Sequence, residues 1–302
     1  MIARLSTLCT LLLVLVLAIG TAAAADPVPH DKSYWQAVLR DYAVPPGEKP
    51  LALAQELSAL LGSPDPELRD RIAYSILSVW LSGDVPWTDA ELVTLLDEWQ
   101  ANLRVGTQPG SDAVLKRSFS ALCLAVLAER DLKTPFLGPE RYRSLLNAAL
   151  AYLSSEHDLR GYDERKGWVH ATAHTADLLA ALARHPALQP AEQNQLLAAI
   201  ARRLSTAPEV FTQGEQDRLA QAVTALLLRP DLDATAFDAW LTALRATTRQ
   251  SARTRPLTSA ALAVVQNNTY FLQALYARLS MQTLEGRAAT SGAKVLDALR
   301  GR

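Results

Sequence analysis

Cysteine is almost absent from this chain of 302 residues. Only Cys9 and Cys123 occur, and Cys9 lies in an N-terminal apolar run that we expect to be removed, which leaves no second cysteine for an intrachain disulfide. Cys123 stands among apolar residues in FSALCLAVL, which is typical of a small core residue rather than a nucleophile. Stability must therefore come from a hydrophobic core, and the chain is 49% apolar.

Several catalytic and nucleotide-binding motifs are also missing. The chain has no P-loop, no G-x-G-x-x-G, no G-x-S-x-G and no Cys-x-x-Cys. It also lacks the zincin motif H-E-x-x-H, because Ala171 follows His170. No Gly/Ser-rich linker divides the chain, and no alternating strand pattern of useful length is present. These absences favour a single all-α domain that spans residues 26–302.

The N-terminal sequence predicts export. Arg4 precedes an apolar run at 8–19 and three alanines at 23–25, the pattern of a secretory signal peptide that is cleaved before Asp26. The run is short for a membrane span, so we expect a periplasmic or secreted protein with no integral membrane span once residues 1–25 are removed. Cleavage leaves 29 basic and 31 acidic residues. This balance argues against nucleic acid or an anionic membrane surface as the main partner.

The remaining chain shows the apolar periodicity of helices. Asp65 before Pro66 is a helix start signal, and Thr88 with Glu91 predicts a capping box. Helix pairs recur about every 40–50 residues, which favours stacked antiparallel pairs of the HEAT or armadillo type, with a closed α/α toroid as the alternative. The predicted helices lie near 32–42, 50–61, 66–82, 88–104, 112–131, 139–156, 168–185, 190–205, 214–229, 233–249 and 256–280, with a weaker one at 288–300.

The most distinctive stretch is residues 156–183, EHDLRGYDERKGWVHATAHTADLLAALA. From 168 to 183 its only ionisable side chains are His170, His174 and Asp177, and their spacing places them on one stripe of a helix. A helix that is otherwise apolar is normally buried, so this stripe is either hydrogen-bonded internally or lines a cleft. We expect His170, in the first helical turn, to be the more readily neutral of the two histidines, because the positive end of the helix dipole disfavours its protonation.

Four segments of the chain carry a family resemblance. They are LLGSPDPELRDRIAYSILSVWL at 60–81, KRSFSALCLAVLAERD at 116–131, YLSSEHDLRGYDERKGWVHATAHTADLL at 152–179 and NNTYFLQALYARL at 267–279. In this order they resemble the bacterial DUF2785 family of uncharacterised proteins. One departure is Thr175, where the family pattern suggests glycine and where a β-branched side chain would narrow a cleft. The resemblance implies positions without roles: Arg69, Asp70, Arg117, Ser118, Glu156, Asp158, Arg160, Gly161, Asp163, Trp168, His170, His174 and Asp177.

The two histidines allow three interpretations. His170 and His174 at i and i+4 could bind zinc, with Asp177 or a loop carboxylate such as Glu156 or Asp163 completing the site. They could instead be neutral core histidines, with Asp177 fixing a tautomer. The third interpretation is a metal-free site for acid–base chemistry or ligand binding.

The charged loop before this helix also has two interpretations. Arg160 could bind an anionic group, or it could pair with Asp163 or Asp177 in a self-neutralised connection. Trp168 could anchor the loop or stack on a sugar or peptide.

A second polar group consists of residues on otherwise apolar helices. Asp70 could pair with Arg117 or Arg160 in a buried network, or the charges of Arg69, Asp70 and Arg117 could be exposed in the first turns of their helices. The predicted structural network contains Arg69, Asp70, Arg117, Ser118 and Glu156.

Together these features predict an exported binding or scaffold protein that recognises a peptide, glycan or protein partner. Its expected ligand-binding residues are Arg160, Asp163, Trp168, His170, His174 and Asp177. The alternative is a hydrolase, with or without a metal, that uses His170, His174 and Asp177 as catalytic residues.

Overall fold

The structure is a computed structural model that describes residues 29–106, 108, 110–283 and 285–300. The predicted signal peptide at 1–25 lies outside these residues. Within the described residues, no helix is both long enough and apolar enough to cross a bilayer.

The described part of the chain contains twelve α-helices, one π-helical segment and two very short strands, which confirms the all-α prediction. The helices are α1 Lys32–Val38, α2 Pro50–Leu60, α3 Ser75–Ser82, α4 Asp89–Asn102, α5 Ala113–Lys133, α6 Gly138–Ser155, α7 Ala171–Arg184, α8 Pro190–Thr206, α9 Glu215–Leu227, α10 Ala234–Ala252, α11 Ser259–Ser280 and α12 Gly286–Leu299. The π-helical segment is Glu67–Tyr74, and the strands are β1 Tyr162–Asp163 and β2 Gly167–Trp168.

The predicted start signals form as expected. The Thr88 side chain accepts the Glu91 amide while the Glu91 carboxylate accepts the Thr88 amide at 2.8 Å, so the capping box is complete. Oδ1 of Asp65 accepts the amide of Glu67 at 2.8 Å. Each bond satisfies an amide at a helix start that would otherwise lack a partner.

Four predicted helix boundaries are wrong by more than two residues. Helix α10 ends at Ala252 rather than 249, and α11 begins at Ser259 rather than 256, after the N-cap Thr258. The first helix ends at Val38 rather than 42, and Tyr42 adopts a left-handed backbone with φ 59° that cannot continue a helix. The motif helix begins at Ala171 rather than 168, because Trp168 pairs in a hairpin and His170 is left-handed.

The helices pack as two neighbouring layers. In one, α5, α7, α9 and α11 lie side by side in chain order, and in the other α6 contacts α8, α8 contacts α10 and α10 contacts α12. Each of α5, α7, α9 and α11 also packs against the helix before it. Stacked helix pairs are therefore present, whereas the choice between an open superhelix and a closed toroid stays a prediction.

Helix α7 occupies the middle of the first layer, between α5 and α9. Its alanines Ala173, Ala176, Ala180 and Ala183 are all buried. Small side chains let neighbouring helices approach closely, so the sequence of α7 fits a central helix with partners on both sides. The polar residues at its N-terminal end thereby lie next to side chains from several helices.

Candidate functional site

A β-hairpin leads into α7. β1 and β2 pair antiparallel, with Tyr162 opposite Trp168. Oδ1 of Asp163 accepts the amides of Arg165 and Lys166, each at 2.9 Å, and Gly167 supplies the positive φ of 70° that the turn requires. Asp163, predicted to bind a ligand, therefore holds the turn of this hairpin.

The guanidinium of Arg69 pins the hairpin to the π-helical segment. It donates to the carbonyl oxygens of Trp168 at 3.0 Å and Ser63 at 2.5 Å, and also to that of Lys166. The side chain is fully buried and lies over the ring of Phe119, 4.9 Å from its centroid. The interpretation of Arg69 as an exposed first-turn charge is therefore wrong.

His170 lies between the hairpin and α7 and has a left-handed backbone conformation, with φ 48° and ψ 32°. Its amide donates to the carbonyl oxygens of Gly161 and Arg160, at 3.2 and 3.1 Å. His170 is thus the N-cap of α7, not a residue of its first turn, because the hairpin dictates its backbone. A left-handed non-glycine residue stores strain, and such residues cluster at functional sites.

A buried ion pair supports the same region from beneath. Nε of Arg117 donates to Glu156 at 2.7 Å, and both side chains are almost fully buried. Arg203 donates to the carbonyl oxygen of Glu156 at 2.6 Å and to Thr172 at 2.9 Å. The alternative in which Asp70 pairs with Arg117 is therefore wrong, since Glu156 binds the guanidinium.

The tautomer of His174 follows from its neighbour Ser118. The Ser118 hydroxyl donates its single proton to the carbonyl of Val169, and its oxygen lies 2.8 Å from Nδ1 of His174. Because that proton is already used, Nδ1 must be the donor to the Ser118 oxygen. The Nε2 atom of His174 then carries a lone pair and makes no hydrogen bond with any described residue.

His170 has a different set of partners. Its Nε2 donates to the carbonyl oxygen of Gln213 at 3.1 Å and lies 3.8 Å from Oε1 of Glu215. Its ring stacks on that of Trp168, with centroids 4.3 Å apart. The His170 and His174 rings meet edge to face at 5.6 Å. The two imidazoles are therefore neighbours, each held by one of its nitrogen atoms.

Burial keeps both histidines neutral. It holds the pKa of His174 well below its ordinary value, and the nearby His170 acts in the same direction. Burial also lowers the pKa of His170, although Glu215 opposes this shift. The expectation that His170 is the more readily neutral histidine is wrong, because burial of His174 outweighs the helix dipole at His170.

These side chains line a cleft of about 630 Å³ between the π-helical segment, α5, the hairpin, α7 and α9. Trp168 forms one edge and is 39% exposed. The polar lining includes Asp70, Tyr74, Trp168, His170, His174, Asp177 and Arg218. His170, His174 and Asp177 therefore do face one hollow, although only two of them belong to the helix.

Asp70 is the unpaired carboxylate of this cleft. Its side chain is half-buried and makes no hydrogen bond or ion pair with any residue that the structure describes. Burial raises the pKa of Asp70, while Arg69 and His170 oppose that rise. Burial also raises the pKa of the neighbouring Tyr74 phenol, to about 12. The cleft thus offers one partly desolvated carboxyl group beside a neutral phenol.

Asp177 is paired, in contrast to Asp70. Its Oδ2 accepts from Nη1 of Arg218 at 2.6 Å. Burial raises the pKa of Asp177, and the Arg218 hydrogen bond works against this. Asp177 does not hydrogen-bond Nδ1 of His174, since Ser118 holds that atom. The tautomer is therefore fixed by Ser118 rather than by Asp177.

Two other sequence predictions need correction. Arg160 binds Asp158 through two nitrogen atoms, at 3.0 and 2.6 Å, and lies 3.8 Å from Asp112, rather than pairing with Asp163, Asp177 or Asp70. Asp158 is two residues away, so the pair closes locally within the loop. Thr175 is buried and donates to the carbonyl of Ala171 at 2.7 Å. It therefore packs inside the helical layers and does not narrow the cleft.

The donor atoms do not fit a zinc site. Nε2 of His170 is already hydrogen-bonded to Gln213, so Nε2 of His174, whose Nδ1 is held by Ser118, is the one Nε2 atom of the pair without a partner among the described residues. Asp177 is held by Arg218. Across the described residues, no three His, Cys, Asp or Glu side chains converge closely enough to hold a metal ion. A tetrahedral zinc site needs three or four such ligands, which the described residues do not bring together.

The comparison with known families identifies the chain. A family model described as "Protein of unknown function (DUF2785)" matches residues 83–277. The chain belongs to the DUF2785 family. No curated protein and no solved structure matches it. Of the segments that resemble the family, those at 116–131 and 152–179 lie inside the matched part of this DUF2785 chain, and the one at 60–81 precedes it.

Sequence reasoning missed several contributors to the cleft of this DUF2785 chain. Tyr74 and Arg218, which line the cleft, carried no motif, and Arg203, which holds Glu156 and Thr172, was not singled out. Asp70 was singled out, but as part of a structural network rather than as a cleft residue. One signal was available: Tyr74 stands four residues after Asp70, which places both on the same side of a helix.

Proposed function

We propose that this chain is a small-molecule-binding protein whose ligand sits in the cleft beside α7. A volume of about 630 Å³ falls within the range of small-molecule sites, about 300–1,000 Å³. It favours a compact ligand, such as a single sugar unit or one side chain of a partner, over an extended peptide or a scaffold surface. The family match carries no activity to set against this proposal.

The observation that carries the proposal is a pair of unpartnered hydrogen-bond acceptors. The Asp70 carboxylate and Nε2 of His174 both belong to cleft residues, and neither has a partner among the described residues. A net hydrogen bond contributes roughly 0.5–1.5 kcal/mol, and one to a charged group roughly 1.5–3 kcal/mol, so a ligand that donates to both acceptors is stabilised there. Trp168 adds an apolar face that suits the carbon side of a sugar or an amine.

Charge narrows the ligand class further. Asp70, Glu129 and Asp177 line the cleft as carboxylates, and Arg218 supplies the guanidinium. Because burial keeps His170 and His174 neutral, they add no positive charge. An excess of negative charge disfavours anionic ligands and favours hydroxyl-bearing or amine-bearing ones.

The test is ligand binding by the parent protein and by Asp70→Asn. Methyl glucoside and 2-aminoethanol serve as hydroxyl and amine probes, and acetate serves as the anionic comparison. Binding of each compound is measured from the NMR shifts of the Trp168 indole. We expect at least one of the first two to shift Trp168, and Asp70→Asn to weaken it by roughly 10-fold or more, as for the loss of a charged hydrogen bond.

Asp97→Asn provides the matched control, because Asp97 is an exposed carboxylate paired with Arg141 away from the cleft. It should bind the probes like the parent. The proposal would be contradicted if Asp70→Asn bound both probes as tightly as the parent does. It would also be contradicted if acetate bound more tightly than either probe.

Acid–base catalysis without a metal is the second candidate. One observation favours it: the cleft holds both the Asp70 carboxyl group, whose pKa burial raises, and the neutral His174 imidazole, whose pKa burial lowers. Ser118 is fully buried and its proton is committed to Val169, so it does not serve as a nucleophile. His174 and Asp70, rather than Asp177, are then the proposed catalytic pair.

A panel of nitrophenyl glycosides and esters tests this second candidate. Hydrolysis that falls by about 100-fold or more in both Asp70→Asn and His174→Gln supports it, since general acid or base groups contribute about that much. Hydrolysis at the same rate in the parent and both variants contradicts it. Asp97→Asn again supplies the control.

Export of the protein is a separate proposal, supported by the N-terminal pattern of Arg4, the apolar run at 8–19 and the alanines before Asp26. Expression of the full chain in a bacterial host, followed by fractionation and N-terminal sequencing, tests it. A periplasmic or extracellular product that begins at Asp26 is expected, and a cytoplasmic product that retains Met1 would contradict it.

A further inference from the structure

A row of arginines along α10 has no partner among the described residues. Arg245 and Arg249 lie in the helix and Arg253 is its C-cap, and their spacing of four residues places them on one face at intervals of about 6 Å. Their guanidinium groups make no ion pair or hydrogen bond with any described residue. Arg255 differs from them, because it donates to the carbonyl oxygens of Ala252 and Thr254 at the end of the helix.

The surrounding sequence is free of acidic residues. No Asp or Glu occurs from 239 to 284. Asp238 pairs with Lys294, and Asp297 lines a hollow with Arg245 without pairing with it. A protein with nearly balanced total charge therefore carries a concentrated positive patch on this helix, which attracts anions.

An apolar cavity of about 160 Å³ opens beside this row, between α10, α11 and α12. Arg245 and Arg249 line it together with Leu272, Ala298 and Leu299. This volume is close to that of apolar cavities that accept one benzene-sized molecule, about 150 Å³. It shares no lining residue with the cleft beside α7.

The two threonine hydroxyl groups that line this cavity have no proton to offer a ligand, so the arginines are its hydrogen-bond donors. Thr248 donates to the carbonyl of Leu244 at 2.8 Å, and Thr269 donates to that of Val265 at 2.7 Å. Each threonine hydroxyl has one proton, so neither has a second one for a ligand. Polar recognition in the cavity therefore falls to the guanidinium groups, which match carboxylates in geometry and charge.

We propose that this cavity binds a small amphipathic anion, a carboxylate that carries an apolar group of about six carbon atoms. The carboxylate lies against Arg245 and Arg249, and the apolar group lies against Leu272 and Leu299. An acidic peptide matches the charge of the arginine row but leaves the apolar hollow empty. An alcohol fills the hollow but leaves the guanidinium groups unpaired.

Titration of the full chain with hexanoate, followed by NMR of the methyl groups of Leu272, Ala298 and Leu299, tests the site. Saturable shifts of these methyl groups are expected. Hexan-1-ol and acetate each lack one half of the ligand and should bind at least about 10-fold more weakly, a difference of about 1.4 kcal/mol. Inorganic phosphate serves as a third comparison and should also bind more weakly than hexanoate.

The double variant Arg245→Gln/Arg249→Gln should weaken hexanoate binding at least about 10-fold while thermal unfolding stays unchanged. Arg40→Gln/Arg104→Gln removes the same charge from exposed positions outside α10 and should bind like the parent. The site is refuted if hexanoate shifts none of the three methyl groups at about 10 mM, or if it binds the α10 variant as tightly as the parent. Acetate or phosphate binding as tightly as hexanoate also refutes it.

Discussion

The hydroxyl oxygen of Ser118 lies 2.8 Å from Nδ1 of His174, and its proton is donated to the carbonyl of Val169. This one-way chain of hydrogen bonds makes His174 a donor at Nδ1 and leaves Nε2 as an acceptor. Ser118 thus acts as a positioning residue for His174, because it fixes the tautomer without lining the cleft.

The first prediction concerns that tautomer. In the parent protein, ¹⁵N NMR at neutral pH should show His174 protonated at Nδ1 and unprotonated at Nε2. Ser118→Ala removes the acceptor, so the Nδ1 form should lose its preference while α7 stays folded by circular dichroism. If His174 in the parent protein is protonated at Nε2 instead, the hydrogen bond between His174 and Ser118 runs in the opposite direction to the one proposed.

The second prediction is a loss of stability at mildly acidic pH. The folded-state pKa values of His174 and His170 are lowered from 6.5, so below that pH the unfolded chain binds more protons than the folded one. The free energy of unfolding should therefore fall as the pH drops from about 6.5 towards the lowered values, by at most about 1.4 kcal/mol for each unit of lowering. Asp70 opposes this trend nearer pH 4, because its pKa is raised in the folded state.

Urea unfolding across pH 7 to about 5 measures this dependence. His174→Gln should show a shallower fall than the parent, since one buried imidazole is gone. His157→Gln replaces an exposed histidine and is the matched control. If His174→Gln follows the same pH curve as the parent, burial of His174 does not control its protonation.

The third prediction concerns the buried ion pair of Arg117 and Glu156. Glu156→Ala leaves the Arg117 guanidinium buried without its carboxylate, so we expect a loss of roughly 3–5 kcal/mol in the free energy of unfolding. Asp97→Ala breaks the exposed pair with Arg141 and should cost less than about 1 kcal/mol. Equal losses in the two variants, by chemical denaturation, would show that burial does not strengthen the first pair.

The fourth prediction concerns the backbone of His170. A left-handed conformation costs a non-glycine residue roughly 1–2 kcal/mol, so His170→Gly should be more stable than His170→Ala by about 1 kcal/mol. By contrast, Ala180→Gly, in the interior of α7, should lower stability by about 1 kcal/mol. A His170→Gly variant less stable than His170→Ala would show that the observed φ carries no strain.

Local patterns along the chain predicted the helices well. Apolar periodicity and caps such as Thr88 with Glu91 are properties of neighbouring residues, so the structure reproduces them. The spacing of His174 and Asp177 likewise placed both on one side of α7, and both line the cleft. Where a feature depends on one helix alone, the sequence was sufficient.

Pairings across the fold were not predictable in this way. The sequence suggested Asp70 as a partner of Arg117, and only packing selects Glu156. The hairpin that ends at Trp168 forms because Arg69, about 100 residues earlier in the chain, binds its backbone carbonyls, and so the start of α7 moves to Ala171. The unpaired state of Asp70 is likewise visible only once every neighbour has its position.

Direct titration of Asp70 by ¹³C NMR of its carboxyl carbon tests most directly whether the cleft holds an unpaired, partly desolvated acceptor. Spectra of the parent and Asp70→Asn assign the resonance, and Asp97 serves as an exposed reference carboxylate. We expect a pKa for Asp70 above the ordinary value of about 3.9. A pKa at or below that value would mean that Asp70 is solvated or paired with a cation, and the cleft would then lack the acceptor on which the proposed ligand binding depends.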